Sequence, residues 1–169
     1  MTPRLMFAVH GIPQPKGSAR AFVVKSRSGR ARAAVVNDNP KGKGWQQLVA
    51  EAASRTIDAC PGFRMIDGPI RLVIDFALPR PKDIKARAVP HTKKPDLDKL
   101  IRCVADALTG VAWPDDSRVV AVSAEKAYAP FGQPPGAVIR VFDASNAWPG
   151  MAGDLFLAPT TTKPEGIPA

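Results

Sequence analysis

Histidine, cysteine and tyrosine are scarce in this chain of 169 residues, which has two, two and one of them. The histidines, His10 and His91, are far apart and form no His-x-x-x-His pair, so a zinc site is not expected. Cys60 and Cys103 have no CxxC spacing and build neither a disulfide framework nor a metal knuckle. They read as buried, reduced thiols. No run of 18 apolar residues is present, which excludes an obvious membrane-spanning helix. The first ten residues lack the apolar stretch and cleavage site of an export signal, so a soluble, cytoplasmic protein is expected. Trp45, Trp113 and Trp148 are too scattered for a base-stacking platform, and no internal repeat appears.

Acid is scarce as well, but only locally. Residues 1–50 hold nine basic side chains against one acid, Asp38, while the other 119 residues carry 15 basic and 14 acidic groups. The formal net charge of +9 is therefore concentrated in the amino-terminal third. A local excess of Lys and Arg suits phosphate-backbone binding, where each neutralised phosphate releases counterions.

What is present reads as one α/β domain over residues 1–144, with a Gly-, Pro- and Thr-rich flexible tail at 145–169 in which Met151, Leu155 and Phe156 are the scattered apolar residues. Residues 5–11 form a first strand, ended by a Pro- and Gly-rich loop at 11–17. Residues 21–25 and 31–36 flank the turn-like 26–30 and suggest a basic β-hairpin. From Trp45, apolar residues recur at Leu48, Val49, Ala52 and Ile57 with helical spacing, up to Cys60-Pro61-Gly62. Ile70, Leu72, Ile74, Phe76 and Leu78 alternate as a half-buried strand, and 80–95 is a basic, proline-punctuated loop. Leu97, Leu100, Ile101, Val104 and Leu108 make the clearest helical stripe, with Gly110 as its stop. Strands at 117–129 and 137–142 complete a mixed sheet packed with two main helices.

The chemistry gathers around Asp96 and Asp98. Two positions apart in one helix, they would point about 200° from each other. Pro95 offers a way out, because proline fits just before a helix start and keeps Lys94 extended. Asp96 then sits at or before the N-cap and Asp98 in the first turn, so the two can converge. Helix capping explains the same residues without any chemistry. Arg102 and Asp106 extend a polar ridge at spacings of four from Asp98. Trp113-Pro114-Asp115-Asp116 places two more carboxylates in a tight loop, which is expected to fold back towards the helix start. Three or four oxygen ligands of this kind suit Mg²⁺. Asp75, alternating with Ile74 and Phe76, is a further candidate ligand, although a solvated strand face accounts for it more simply.

Lys94-Pro95-Asp96-Leu97-Asp98-Lys99-Leu100-Ile101-Arg102, then Asp106-Ala107-Leu108-Thr109-Gly110, then Asp115-Asp116-Ser117-Arg118-Val119-Val120 resemble, in order, the PDxDN, DALxG and DDsxV segments of the RusA family of Holliday-junction resolvases. The loop from Gly11 to Arg20 resembles that family's amino-terminal loop. The resemblance implies a homodimeric, Mg²⁺-dependent endodeoxyribonuclease, with Mn²⁺ as a substitute metal, that makes paired nicks in branched DNA. Its metal-binding carboxylates fall on Asp96, Asp98 and Asp116. Its active-site lysine falls on Arg102, which keeps the charge but does not shuttle protons. Lys99 stands where the family has Asn. Phosphate contacts are expected from Lys16, Arg20, Arg27, Arg30, Arg32 and Lys99. A restriction-type nuclease fits less well, because no Asp-x-Lys or Glu-x-Lys follows Pro95-Asp96 on a later strand. The rival of another class is a non-catalytic DNA- or RNA-binding module whose acids are only helix caps.

Overall fold

A computed structural model describes residues 2–17, 19–25, 31–37, 39–85 and 89–145, with the backbone alone for 19–25 and 31–37. The elements follow in the expected order. Strand β1 (Leu5–His10) buries Leu5, Phe7 and Val9 and turns Met6, Ala8 and His10 outward. Strands β2 (Ala19–Lys25) and β3 (Ala31–Asn37) pair antiparallel as a separate two-stranded sheet, with Val24 opposite Arg32. This is the expected basic hairpin, although Arg27 and Arg30 at its turn lie outside the described residues.

Helix α1 (Pro40–Asp58) starts five residues before the apolar periodicity does. The side chain of Asn39 accepts from the Lys41 backbone N–H at 3.2 Å and Pro40 fills the first helical position, so the cap rather than the stripe fixes the start. Strand β4 (Ile70–Leu78) leads through the basic loop to helix α2 (Leu97–Leu108). A single 3-10 turn at Asp116–Arg118 precedes β5 (Val119–Tyr128), and β6 (Gly136–Asp143) follows.

The main sheet runs β1-β6-β4-β5. Only β4 and β5 are parallel, joined by the α2 crossover, and the other pairs are antiparallel. Register puts Phe7, Ile139, Ile74 and Ala124 in one row across the sheet. Both helices cover that face: Trp45, Val49 and Ala52 of α1 and Leu100, Val104 and Leu108 of α2 join the strand residues in one core. Each fully buried Leu, Ile or Val there contributes roughly 1.5–3 kcal/mol. On the opposite face Arg140 reaches Asp75 at 2.7 Å, so Asp75 is one half of a surface ion pair.

Of the two cysteines, Cys103 is buried and Cys60 is exposed, which corrects the expectation for the second. Cys60 follows the last turn of α1, beyond the reach of the core stripe. Trp45 and Trp113 are core residues, and Trp148 lies outside the described residues.

One edge of the sheet collects the loops. The end of β1 and the start of β6 meet there at His10 and Gly136, and β4 and β5 end side by side at Leu78 and Tyr128. A Cβ on Gly136 would run into the Val9 carbonyl oxygen, so only glycine lets the chains approach this closely. The described parts of the loops, 11–17, 79–85 and 89–96, and the start of α2 therefore share this edge.

Candidate active site

The start of α2 is held from two sides. Lys126 of β5 donates from its ammonium to the carbonyl oxygens of Lys93 and Pro95, at 2.9 and 2.7 Å. On the other side the Lys16 backbone N–H donates to the Lys99 carbonyl at 3.0 Å. The Lys94–Pro95 peptide is cis. Asp96 takes the N-cap in an extended conformation, but its side chain makes no capping hydrogen bond. Its nearest charged partner is Lys99, with Nζ 3.5 Å from the carboxylate. Asp98 sits in the first turn and is exposed. Asp96 at the N-cap and Asp98 in the first turn are the positions read from Pro95, and the Asp96 carboxylate does not cap the helix.

The polar ridge beyond Asp98 divides. Arg102 is exposed, and among the described residues neither it nor Asp98 makes an ion pair. Asp106 turns inward and pairs with the ammonium of Lys16. That pair sits over Cys103, whose Sγ lies 3.7 Å from the Gly42 carbonyl oxygen. Burial, then the negative Asp106, push the Cys103 thiol up to about 11 against the opposing pull of Lys16. Lys16, expected to contact phosphate, is paired with Asp106 while its side chain stays partly exposed.

Asp115 and Asp116 are not brought to the helix start. Asp116 accepts from the indole N–H of Trp113 at 3.1 Å and from the hydroxyl of Thr109, the residue that ends α2. Asp115 accepts from the Ser117 backbone N–H at 2.8 Å, and its hydrogen bonding to Ser117 holds the carboxyl below its usual range. A 12-residue helix is about 18 Å long, so Asp116 stands a full helix length from Asp96. The expected fold-back fails for a geometric reason. The chain leaves α2 at its far end and enters β5 there, and β5 then runs back alongside the helix. Among the described residues no group of three or more His, Cys, Asp or Glu is close enough to hold a metal.

Two carboxylates nevertheless suit Mg²⁺, which takes one or two from protein and fills its octahedron with waters and substrate phosphate oxygens. Beside Asp96 opens a cleft of about 520 Å³, lined on its apolar side by Pro13, Pro15, Leu78, Pro79 and Pro95. Gln14, His91, Lys94, Asp96 and Lys99 supply its polar groups. His91 had no chemical role in the sequence beyond failing to make a zinc pair. Its one signal was its place in the loop that leads into Pro95-Asp96. Arg20 and Arg32 lie on β2 and β3, apart from this cleft's lining.

No helix among the described residues is long and apolar enough to cross a membrane. The chain is 30% identical over 134 residues to "Uncharacterized protein YqaN" of Bacillus subtilis (strain 168), a match covering 73% of this chain and 87% of that protein. The sequence model of the family described as "Endodeoxyribonuclease RusA" matches residues 13–141, which span both helices, the carboxylates at the two ends of α2 and the loops of the cleft edge. By that match the chain belongs to the RusA endodeoxyribonuclease family.

Proposed function

We propose that this chain resolves four-way DNA junctions by Mg²⁺-dependent phosphodiester hydrolysis, acting as a homodimer that makes paired nicks. The observation that carries the metal reading is Asp96, an N-cap residue whose carboxylate makes no capping bond to the helix it begins. With Asp98 in the next turn, it offers hard oxygen donors at the positive end of a helix dipole, beside a cleft carrying two lysines. Asp96 and Asp98 would hold Mg²⁺, or Mn²⁺ in its place. What such an ion supplies when bound is Lewis acidity towards the scissile phosphate and its attacking water. Lys99 is within 3.5 Å of Asp96, and Arg102 lies one turn beyond Asp98, so both can neutralise charge that builds on the phosphoryl oxygens.

Asp116 enters this site only from a second copy. An isologous, two-fold contact can set the start of one α2 beside the end of the other. Asp116 of the partner subunit would then join Asp96 and Asp98, giving the three carboxylates that the family pattern implies.

The test is cleavage of a synthetic four-way junction and of a matched linear duplex, each with Mg²⁺ and with EDTA. Cleavage of the junction alone, and only with metal, is expected. Tight junction binding with no cleavage under any divalent metal would leave a binding module in place of the enzyme.

A further inference from the structure

The cleft beside Asp96 has a polar floor that the protein does not satisfy. His91 is 8% exposed and packs against Tyr128, with ring centroids 4.6 Å apart and planes at 56°. Its backbone N–H donates to Lys126 at 3.1 Å, so the residue is fixed at both ends. Its buried Nδ1 has no hydrogen-bond partner among the described residues, and Nε2, which is also unpaired there, stays open to solvent. Nε2 is therefore the edge of the ring that a molecule entering the cleft can hydrogen-bond.

The shape of the cleft narrows the choice of what enters. Its volume of about 520 Å³ lies in the range of small-molecule sites, roughly 300–1,000 Å³. Four proline rings and Leu78 form apolar walls, which suit the two faces of a flat ring system better than a bare phosphate. The ammonium groups of Lys94 and Lys99 suit the backbone phosphates of the same nucleotide, and Asp96 ties the cleft to the proposed hydrolytic centre. The walls are preset, because Lys126 holds the 93–95 segment through two carbonyls.

We infer that this cleft is a pocket for one unpaired nucleotide, its base between the proline walls with an edge on His91 and its phosphates on Lys94 and Lys99. This rests on the junction-resolving reading above. A base inside a duplex has its edge committed to its complement and its faces stacked, so it cannot occupy such a pocket. Bases at a branch point are the cheapest to release. Selectivity for branched DNA then follows from the cost of supplying that one nucleotide rather than from recognition of the four arms.

The experiment uses four-way junctions carrying 2-aminopurine at successive positions around the branch point, bound by the full chain with Ca²⁺ in place of Mg²⁺. One position should brighten severalfold on binding by the wild type. His91→Phe keeps an aromatic ring against Tyr128 and removes both nitrogens. It should fold as judged by circular dichroism, lose that brightening, and cut the junction about tenfold more slowly with Mg²⁺. Because the chain has only two histidines, a second measurement follows the His91 imidazole by NMR, assigned through the same variant. Thymidine monophosphate should shift it, and inorganic phosphate should not.

Equal shifts from inorganic phosphate would make the cleft a phosphate site and overturn the inference. So would a wild type that cuts junctions normally with no position brightening, or a His91→Phe protein that brightens like wild type. Brightening together with an absence of cleavage under any divalent metal would support the pocket and remove the hydrolytic reading, so the two fail separately.

Discussion

Asp96, Asp98 and Asp116 carry the same charge in three different settings, and the settings predict how each responds to replacement. Asp96 and Asp98 hold little in the fold: the first makes no cap bond and only an exposed ion pair with Lys99, and the second is exposed and unpaired among the described residues. Asp96→Asn and Asp98→Asn should therefore leave thermal stability nearly unchanged while lowering Mg²⁺-supported junction cleavage on the order of 10³-fold, because an amide is a poor metal ligand. Junction binding, read by gel shift, should hold or tighten once a negative charge near phosphate is gone. Asp116 also holds Trp113 and Thr109. An Asn there still offers a carbonyl oxygen to both donors, whereas Asp116→Ala should cost about 1–3 kcal/mol of stability by leaving the buried indole N–H unpaired. Arg102→Ala should lose roughly 10²-fold in turnover and Arg102→Lys much less, since a clamp on phosphate needs charge more than a fork. The thiols divide in the same way. At pH 8, a thiol raised to about 11 is ionised to about one part in a thousand, and Cys103 is buried as well. Iodoacetamide should label Cys60 in the native protein and reach Cys103 only after denaturation, with mass spectrometry of tryptic peptides as the readout.

Elements with a strong periodic signal were legible in the sequence because side-chain spacing is backbone geometry. The alternation from Ile70 to Leu78 is β4, and the stripe from Leu97 to Leu108 is α2 with its bounds. Asn39 and Pro40 set the start of α1 through one cap bond and a fixed φ, which no apolar period reveals. The local geometry of Asp96 was readable for a related reason, since Pro95 constrains its immediate neighbours. What could not be read was any relation between ends of elements. The loop at 113–116 looked free to fold back, and only the length of α2 and the direction of β5 exclude it within one chain. His91 was invisible for the same reason: its burial comes from Tyr128 and the sheet edge, 37 residues on in the sequence. The hairpin of β2 and β3 is the element on which the charge reading now depends. Arg27, Arg30 and Arg32 to Ala together should weaken binding to junction and duplex alike, and reduce the slope of log affinity against log salt by up to about 3. Wild-type binding at both low and high salt would make the hairpin a solubilising surface.

At the scale of the whole molecule, the separation of Asp116 from Asp96 decides how many chains make one site. If each site were built within a chain, every protomer carrying either Asp96→Asn or Asp116→Asn would be dead, and mixing the two variants would restore nothing. If each site takes Asp96 and Asp98 from one protomer and Asp116 from its partner, the mixed dimer behaves differently. One of its sites then collects both replacements and the other collects neither. Co-expressed variants carrying two distinct affinity tags allow that mixed dimer to be isolated by sequential purification. It should nick a four-way junction at about half the wild-type rate per dimer, since one of two isologous sites is intact. It should also fail to resolve the junction, because resolution needs two opposed nicks and only one site can cut. Shortened strands on a denaturing gel with the junction still intact on a native gel are therefore the expected result, against linear duplexes on the native gel from the wild type. An inactive mixed dimer that still binds junction DNA would mean that Asp116 does not complete the site from a second copy. The third carboxylate would then have to be found elsewhere, or Asp96 and Asp98 would hold the metal alone.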